Sequence, residues 1–311
     1  MIISASRRTD IPAWHAEWLL NRLRAGEVLV RNPFRPTRIS RVALSPKNVD
    51  CLVFWTKNPG PMLPLLEEID AMGYPYYFQF TLTPYGTDLE TGLPPKEELV
   101  RMFRRLSKRL GSKRVIWRYD PVVVCEAYPL SYHIESFGRL ARALEGAAQR
   151  CVFSFFDAYP GLGKLGRTWE RGLTPDGMDR LAAAFAAAAQ ERGMELVTCA
   201  EQGDYSRYGV RHGACIDREW IEGILGVPLE YEKGKNTGQR SCCGCMESVD
   251  IGVYGTCRNG CRYCYAGGGK HFGVFDTGAP LLDGWPGMGD TVYDRPVRSL
   301  RKEEMQQLLF D

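Results

Sequence analysis

The chain has 311 residues, 44% of them hydrophobic, which is enough for one large α/β barrel or two ordinary domains. Its 40 Lys+Arg against 37 Asp+Glu leave a formal charge of +3, which neither demands nor excludes nucleic acid. No apolar run is long enough for a bilayer and no signal peptide opens the chain, so a cytoplasmic protein without membrane partners is expected, and 11 cysteines there argue for metal or redox chemistry over disulfides.

Met1 to Ala5 reads as a short strand. Asp10 caps a helix with Pro12 in its first turn and Trp14, Trp18, Leu19 and Leu23 as its apolar stripe. Val49 to Thr56 is a second strand, and a helix over Met62 to Met72 stops at Gly73. Tyr76 to Leu82 is the third strand. A helix from Lys96 to Leu110 precedes the fourth strand, Arg114 to Tyr119. Ser131 to Gln149 reads as a helix and Cys151 to Phe156 as the fifth strand. An Ala-rich helix from Thr174-Pro175 to Gly193 leads into the sixth, Glu195 to Thr198. Such alternation favours a parallel barrel or an open doubly wound sheet. No internal repeat is visible. Glu230 to Gly238 reads as a linker, Ala266 to Gly289 as glycine-rich and irregular, and Val297 to Phe310 as a final amphipathic helix packed on the body.

Cys257, Cys261 and Cys264 form a C-x3-C-x2-C array in a single short loop. Three thiolates there can ligate three irons of a cubane [4Fe–4S] cluster and leave the fourth open. The competing reading is structural zinc, with Cys245 as the fourth thiolate. Zinc ribbons, however, take their ligands as two separated pairs, and the Tyr263-Cys264 pairing fits the cluster loop better.

The loop resembles that of the radical S-adenosylmethionine (radical SAM) superfamily, in which SAM chelates the open iron. Asp250 to Ala266 is similar to the strand and cluster loop of its spore photoproduct lyase-like branch. Ser4-Ala-Ser-Arg-Arg-Thr9-Asp10-Ile-Pro12, Thr56-Lys57 and Arg118-Tyr119-Asp120-Pro121 are similar to the strand ends that follow the loop in that branch. Here the cluster segment comes last, and a circular permutation reconciles the two orders by pairing Val249 to Tyr254 beside Met1 to Ala5. The whole chain also resembles an uncharacterised bacterial family called domain of unknown function 1848, a name that carries no activity.

The resemblance implies an α/β fold: a parallel (β/α) barrel or partial barrel of radical SAM type, circularly permuted. Residues 1–229 would supply barrel strands and helices, and 230–311 a Cys-rich segment that completes the barrel. It also implies SAM and a [4Fe–4S] cluster as cofactors, a reductant such as a flavodoxin or ferredoxin, and a 5′-deoxyadenosyl radical acting on an unknown substrate. Nothing selects a hydrogen donor, with Tyr119 and Cys125 among the candidates.

Chemistry in parallel barrels gathers at the carboxyl ends of strands. Those ends nominate Ser6, Thr9, Asp10, Thr56, Lys57, Gln79, Arg118, Asp120 and Ser154 for cofactor binding, with Tyr263 from the loop itself. Arg118 or Lys57 suits a methionine carboxylate, and Asp120, Gln79 or Ser154 suits ribose hydroxyls. The plainer account of Arg118 and Asp120 is a strand-end ion pair. Arg7-Arg8 suits an anionic substrate, nucleic acid included. Arg31, Arg35, Arg38 and Arg41 read as a solvated face, and Trp14, Trp18 and Trp55 as core.

Cys199, Cys215, Cys243 and Cys245 fall at a strand end and in polar loops, and would together make a second iron–sulfur cluster or a zinc site, with His212 as an alternative ligand. Cys51 and Cys151 read as buried hydrophobes. Gly161-Leu-Gly163-Lys-Leu-Gly166 matches G-x-G-x-x-G, but no helix is expected before Thr174, which makes the match a coincidence. Two other function classes stay open: a zinc-stabilised nucleic-acid-binding module and an iron–sulfur electron-transfer protein.

Overall fold

The computed structural model describes residues 1–230, 242–267 and 275–302. Its strands are β1 (Ile2–Ala5), β2 (Glu27–Asn32), β3 (Arg35–Ala43), β4 (Cys51–Thr56), β5 (Tyr76–Thr81) and β6 (Val115–Val122). β7 (Arg150–Phe155), β8 (Glu195–Cys199), β9 (Arg211–Gly213), β10 (Val249–Asp250) and β11 (Thr291–Asp294) follow. Helices α1 (Ile11–Trp14), α2 (Ala16–Ala25), α3 (Leu66–Ala71), α4 (Lys96–Leu110), α5 (Leu130–Ala143), α6 (Gly163–Gly172), α7 (Pro175–Gln190) and α8 (Arg218–Leu225) complete the set.

Eight strands form one sheet in the order β10-β1-β4-β5-β6-β7-β8-β9, every neighbouring pair parallel. The strands are apolar on both faces because both are covered. Ile3, Phe54, Phe78, Trp117 and Phe153 pack in the larger core with the helices. Alternate residues Ile2, Val53, Tyr77, Ile116, Val152 and Val197 form a second core with Cys215, Ile216, Cys245 and Met246. The hydroxyl of Tyr77 in β5 donates to the Cys215 carbonyl (2.8 Å), although Cys215 follows β9, four places along the sheet. The Met246 N–H donates to the Ile216 carbonyl (2.9 Å), joining the segments beside the two outer strands. This is an α/β arrangement compatible with a partial barrel.

Β10 pairs in parallel with β1, Ile3 opposite Val249 and Ser4 opposite Asp250, so the last strand of the large sheet lies beside the first. It spans two residues rather than the expected 249–254. The six expected strands all form, and α4 has the expected bounds. The expected Met62–Met72 helix begins instead as a 3-10 turn over Gly60–Leu65, because Pro64 cannot donate within an α-helix. The expected Ser131–Gln149 helix ends at Ala143, before Gly146 at φ 72.

The hairpin β2–β3 joins β11 in a separate three-stranded sheet that hydropathy does not announce. There Arg31 pairs with Asp290 (2.9 Å), Arg41 with Asp294 (3.1 Å) and Glu27 (3.5 Å), and Arg38 lies over the Tyr293 ring. Two of the four arginines expected on a solvated face are thus ion-paired. Helix α6 starts inside the G-x-G-x-x-G stretch, which corrects the expectation of no helix before Thr174.

Residues 231–238 of the expected linker, 268–274 of the glycine-rich stretch and 303–310 of the expected final helix lie outside the described residues. The described 297–302 are not helical. Ser299 and Leu300 donate to the Asp50 carboxylate (2.6 and 2.8 Å), which fastens this tail to the body. Among the described residues no helix is long and apolar enough to cross a membrane.

Candidate metal centre

Parallel strands deliver their carboxyl ends to one side of the sheet, and a cavity of about 980 Å³ lies over them. Ser6, Thr9 and Asp10 after β1, and Thr56 and Lys57 at β4, line it. Arg118, Asp120 and Ser154 line it from β6 and β7, and Cys257, Cys261, Tyr263 and Cys264 from the C-terminal segment. Gln79 is fully buried away from the cavity, its Nε2 donating to the Cys215 carbonyl (2.6 Å). Tyr119 and Cys125 do not line it either; the Tyr119 hydroxyl meets His133 Nδ1 (2.9 Å) on the helix-covered face. Of the tryptophans expected in the core only Trp18 is buried. Trp55 lines the cavity under the guanidinium groups of Arg7 and Arg118, and Trp14 is 38% exposed.

The cysteine loop is held from three sides. Along its outer edge Glu90 bridges Cys261, the Gly92 N–H donates to the Asn259 carbonyl (3.0 Å) and the Arg262 N–H to the Leu89 carbonyl (2.9 Å). Only glycine fits at 92, because a Cβ there would overlap the Arg258 carbonyl oxygen. On the α1 side Asn259 accepts from the Trp14 indole (2.7 Å) and donates to Asp10 (2.8 Å). Asp10 also caps α1 through the Ala13 N–H (3.1 Å) and accepts the Lys57 N–H (2.8 Å), so it is an anchor with little capacity left for a ligand.

Underneath, the Glu90 carboxylate accepts from Lys57 Nζ (2.8 Å), Thr83 Oγ1 (2.6 Å), Lys96 and the Tyr263 hydroxyl. Burial works against its charge, but Lys57 and Lys96 outweigh burial and bring the carboxyl down to about 2. Lys57 is likewise penalised by burial and held protonated by Glu90. Lys96 shares that carboxylate, and burial together with the Lys57 charge pushes it down. The ammonium of Lys57 is therefore matched within the protein rather than presented to a ligand.

Cys257, Cys261 and Cys264 are free thiols facing the cavity. Burial raises all three, Cys257 to about 12. A metal at the loop has to displace these protons, since thiolate is the ligating form.

The second thiol group assembles from three segments. Cys199 ends β8, Cys215 follows β9, and Cys243 and Cys245 precede β10. The sulfurs of Cys199, Cys215 and Cys245 all lie within 4.8 Å of one another, with Cys199 and Cys215 2.6 Å apart. The zinc set of Cys245 with the loop cysteines is therefore not the one assembled. Arg118 Nη1 meets Cys215 Sγ (2.6 Å) and Nη2 meets Asp120 (2.5 Å), so this guanidinium too is engaged. Hydrogen bonds from Cys199 and Cys245, then Arg118, hold Cys215 well below the ordinary thiol range. Cys243 comes down to about 6, chiefly through its hydrogen bond with Cys245. His212 does not join; its Nε2 meets the Cys242 carbonyl (3.0 Å).

Residues 2–266, which include both thiol groups, match the model of one protein family. The chain belongs to DUF1848, a domain of unknown function. Neither a curated protein nor a solved structure matches it.

Two acidic residues central to the DUF1848 site escape sequence reasoning. Glu90 lies in a connection rich in Pro and Gly, with no periodicity to mark it. Asp250 accepts from Ser4 Oγ (2.8 Å), Ser6 Oγ (2.5 Å), the Arg7 N–H (2.8 Å) and the Gly252 N–H (3.1 Å). Its signal becomes readable only once β10 is placed beside β1, where Asp250 falls opposite Ser4. With its oxygens so occupied, Asp250 approaches the guanidinium groups of Arg7 and Arg8 no closer than 3.9 Å. Two cations sharing one saturated carboxylate make that wall of the cavity anion-attracting.

Proposed function

We propose that this protein is a radical SAM-type enzyme on a circularly permuted partial (β/α) barrel. The observation that carries the proposal is the opening of three thiols from one loop into the cavity at the strand ends, beside a polar layer from β1, β4, β6 and β7. Among the described residues, Cys257, Cys261 and Cys264 do not draw together within 4.8 Å as the other trio does. That wider spread suits separate irons of a cluster better than one shared ion, and the soft thiol donor set fits iron–sulfur chemistry.

Cys257, Cys261 and Cys264 would hold the [4Fe–4S] cluster. When bound with SAM, it supplies one-electron cleavage of the sulfonium and hydrogen abstraction by the resulting 5′-deoxyadenosyl radical. The protein's own part is positional. Glu90, Lys57 and Tyr263 fix the loop from below, and Asn259 and Asp10 fix it from the α1 side. Arg7 and Arg8 offer positive charge to a carboxylate or an anionic substrate, the role that Lys57 and Arg118 cannot fill while matched by Glu90 and Asp120. Ser154 and Asp120, themselves hydrogen-bonded to one another, offer oxygen atoms to hydroxyl groups. A flavodoxin or ferredoxin is the class of reductant that would serve such an enzyme.

The test is anaerobic reconstitution with iron and sulfide, followed by SAM and dithionite. Iron, acid-labile sulfide and 5′-deoxyadenosine are expected, with cluster and nucleoside both lost in Cys261→Ala. An iron–sulfur protein that makes no 5′-deoxyadenosine would be an electron carrier instead, and zinc bound at this loop in place of iron would overturn the assignment.

A further inference from the structure

We propose that Cys199, Cys215, Cys243 and Cys245 form a mononuclear tetrathiolate centre of zinc type that staples the two edges of the large sheet. The inference is independent of the radical reading, because it concerns other ligands and another metal.

Spacing decides between one ion and a cluster. A tetrahedral zinc with Zn–S of about 2.3 Å puts its thiolates about 3.8 Å apart. Cys199, Cys215 and Cys245 fall inside the 4.8 Å compass such an ion needs, and the Cys199–Cys215 pair at 2.6 Å would part by about 1.2 Å to seat it. A cubane places each thiolate on a different iron and so further apart. Cys243 lies outside that compass, but it faces the same cavity two residues before Cys245 and would close in as the fourth ligand.

Topology says what the ion does. The outer strands of the sheet are β9 and β10. Cys215 lies just beyond β9 and Cys245 just before β10, so both edges reach the ion, while Cys199 brings in the neighbouring β8. Without metal the described contacts across this seam include the Met246 to Ile216 backbone bond (2.9 Å) and the Ile216 N–H directed at Cys245 Sγ (3.4 Å). A metal would add four coordinate bonds to these contacts.

The surroundings suit the charge. Four thiolates on a divalent cation carry two net negative charges. Arg118 donates to Cys215 Sγ, and the Ile216 N–H supplies a neutral donor to Cys245. Because Arg118 also holds Asp120, the ion would fix one wall of the cavity as well as the seam.

The experiment uses the full chain carrying Cys257→Ala, Cys261→Ala and Cys264→Ala, purified anaerobically. One equivalent of zinc is expected. Cobalt in its place should give the visible bands of tetrahedral coordination and the ultraviolet thiolate-to-cobalt band, and Cys245→Ser should weaken that band and lower the thermal midpoint. No bound metal, or iron with acid-labile sulfide in this variant, would overturn the proposal. So would a Cys245→Ser protein with an unchanged cobalt spectrum. Should the triple variant not fold, zinc-edge X-ray absorption on the wild-type protein takes its place: four sulfurs at about 2.3 Å are expected, and nitrogen or oxygen neighbours in their stead refute it.

Discussion

Replacing Glu90 with Gln probes the tie that fixes the cysteine loop. Glu90 is 2% exposed and accepts from Lys57, Thr83, Lys96 and Tyr263. The amide keeps the shape but removes the charge, and its NH2 must face a donor. Lys96, whose side chain is 24% exposed, can swing into water, whereas Lys57 at 12% is stranded. Removing one member of a buried ion pair costs about 3–5 kcal/mol. An independent route gives a similar size: the carboxyl is brought from 4.5 to about 2, which at about 1.4 kcal/mol per unit is on the order of 3 kcal/mol. The sign follows from the depressed folded value. The stabilisation is present above pH 4.5 and is lost as pH falls toward about 2. Urea unfolding at pH 7 should therefore show Glu90→Gln destabilised by about 3 kcal/mol, with a flatter acid limb than the wild type. Adding Lys57→Met should recover part of the loss. A single variant within 1 kcal/mol of the wild type would refute the reasoning, as would a double variant worse than the sum of the singles.

Gly92→Ala should cost about 1–3 kcal/mol and lower iron retention at the loop, because the new Cβ meets the carbonyls of Arg258 and Asn259; iron analysis alongside urea unfolding checks both. His133 is lowered from 6.5 to about 4 by burial. The unfolded chain therefore takes up a proton first as pH falls, and stability should drop between pH 6.5 and 4 by on the order of 3 kcal/mol; His133→Gln should flatten that slope. Asp250→Ala strands the hydroxyls of Ser4 and Ser6 and the Arg7 N–H, and should lower stability by about 3 kcal/mol, read by urea unfolding.

The large sheet was legible because its six longer strands are apolar-rich runs that alternate with helical patterns. Even the pairing of β10 with β1 followed from comparing segment order. The second sheet was not, because Arg35–Ala43 carries four arginine or serine side chains among its nine residues and one of its partners, β11, comes from far along the chain, with Arg41 meeting Asp294 across 253 residues. The layer of strand ends was readable as a group, since a polar residue after an apolar core marks a strand's carboxyl end. Individual roles were not. Lys57 and Arg118 look alike in sequence, yet Lys57 is matched by Glu90, whose position only the fold reveals, and Arg118 by Asp120, the strand-end partner the sequence already offered. The convergence of Cys199, Cys215 and Cys245 shows the same limit. Their places at a strand end and in polar loops could nominate the residues, but their closeness depends on how the fold brings the segments after β8, after β9 and before β10 together.

The neighbours of β1 have a temporal consequence. Ile3 and Ser4 lie between Leu52 and Val53 on one side and Val249 and Asp250 on the other. Segments 246 residues apart thus have to meet before this part of the sheet is complete, and such distant pairing is slow to form. Asp250 gathers Ser4, Ser6 and Arg7 only once that pairing forms, so this wall of the cavity is among the last parts of the fold to close.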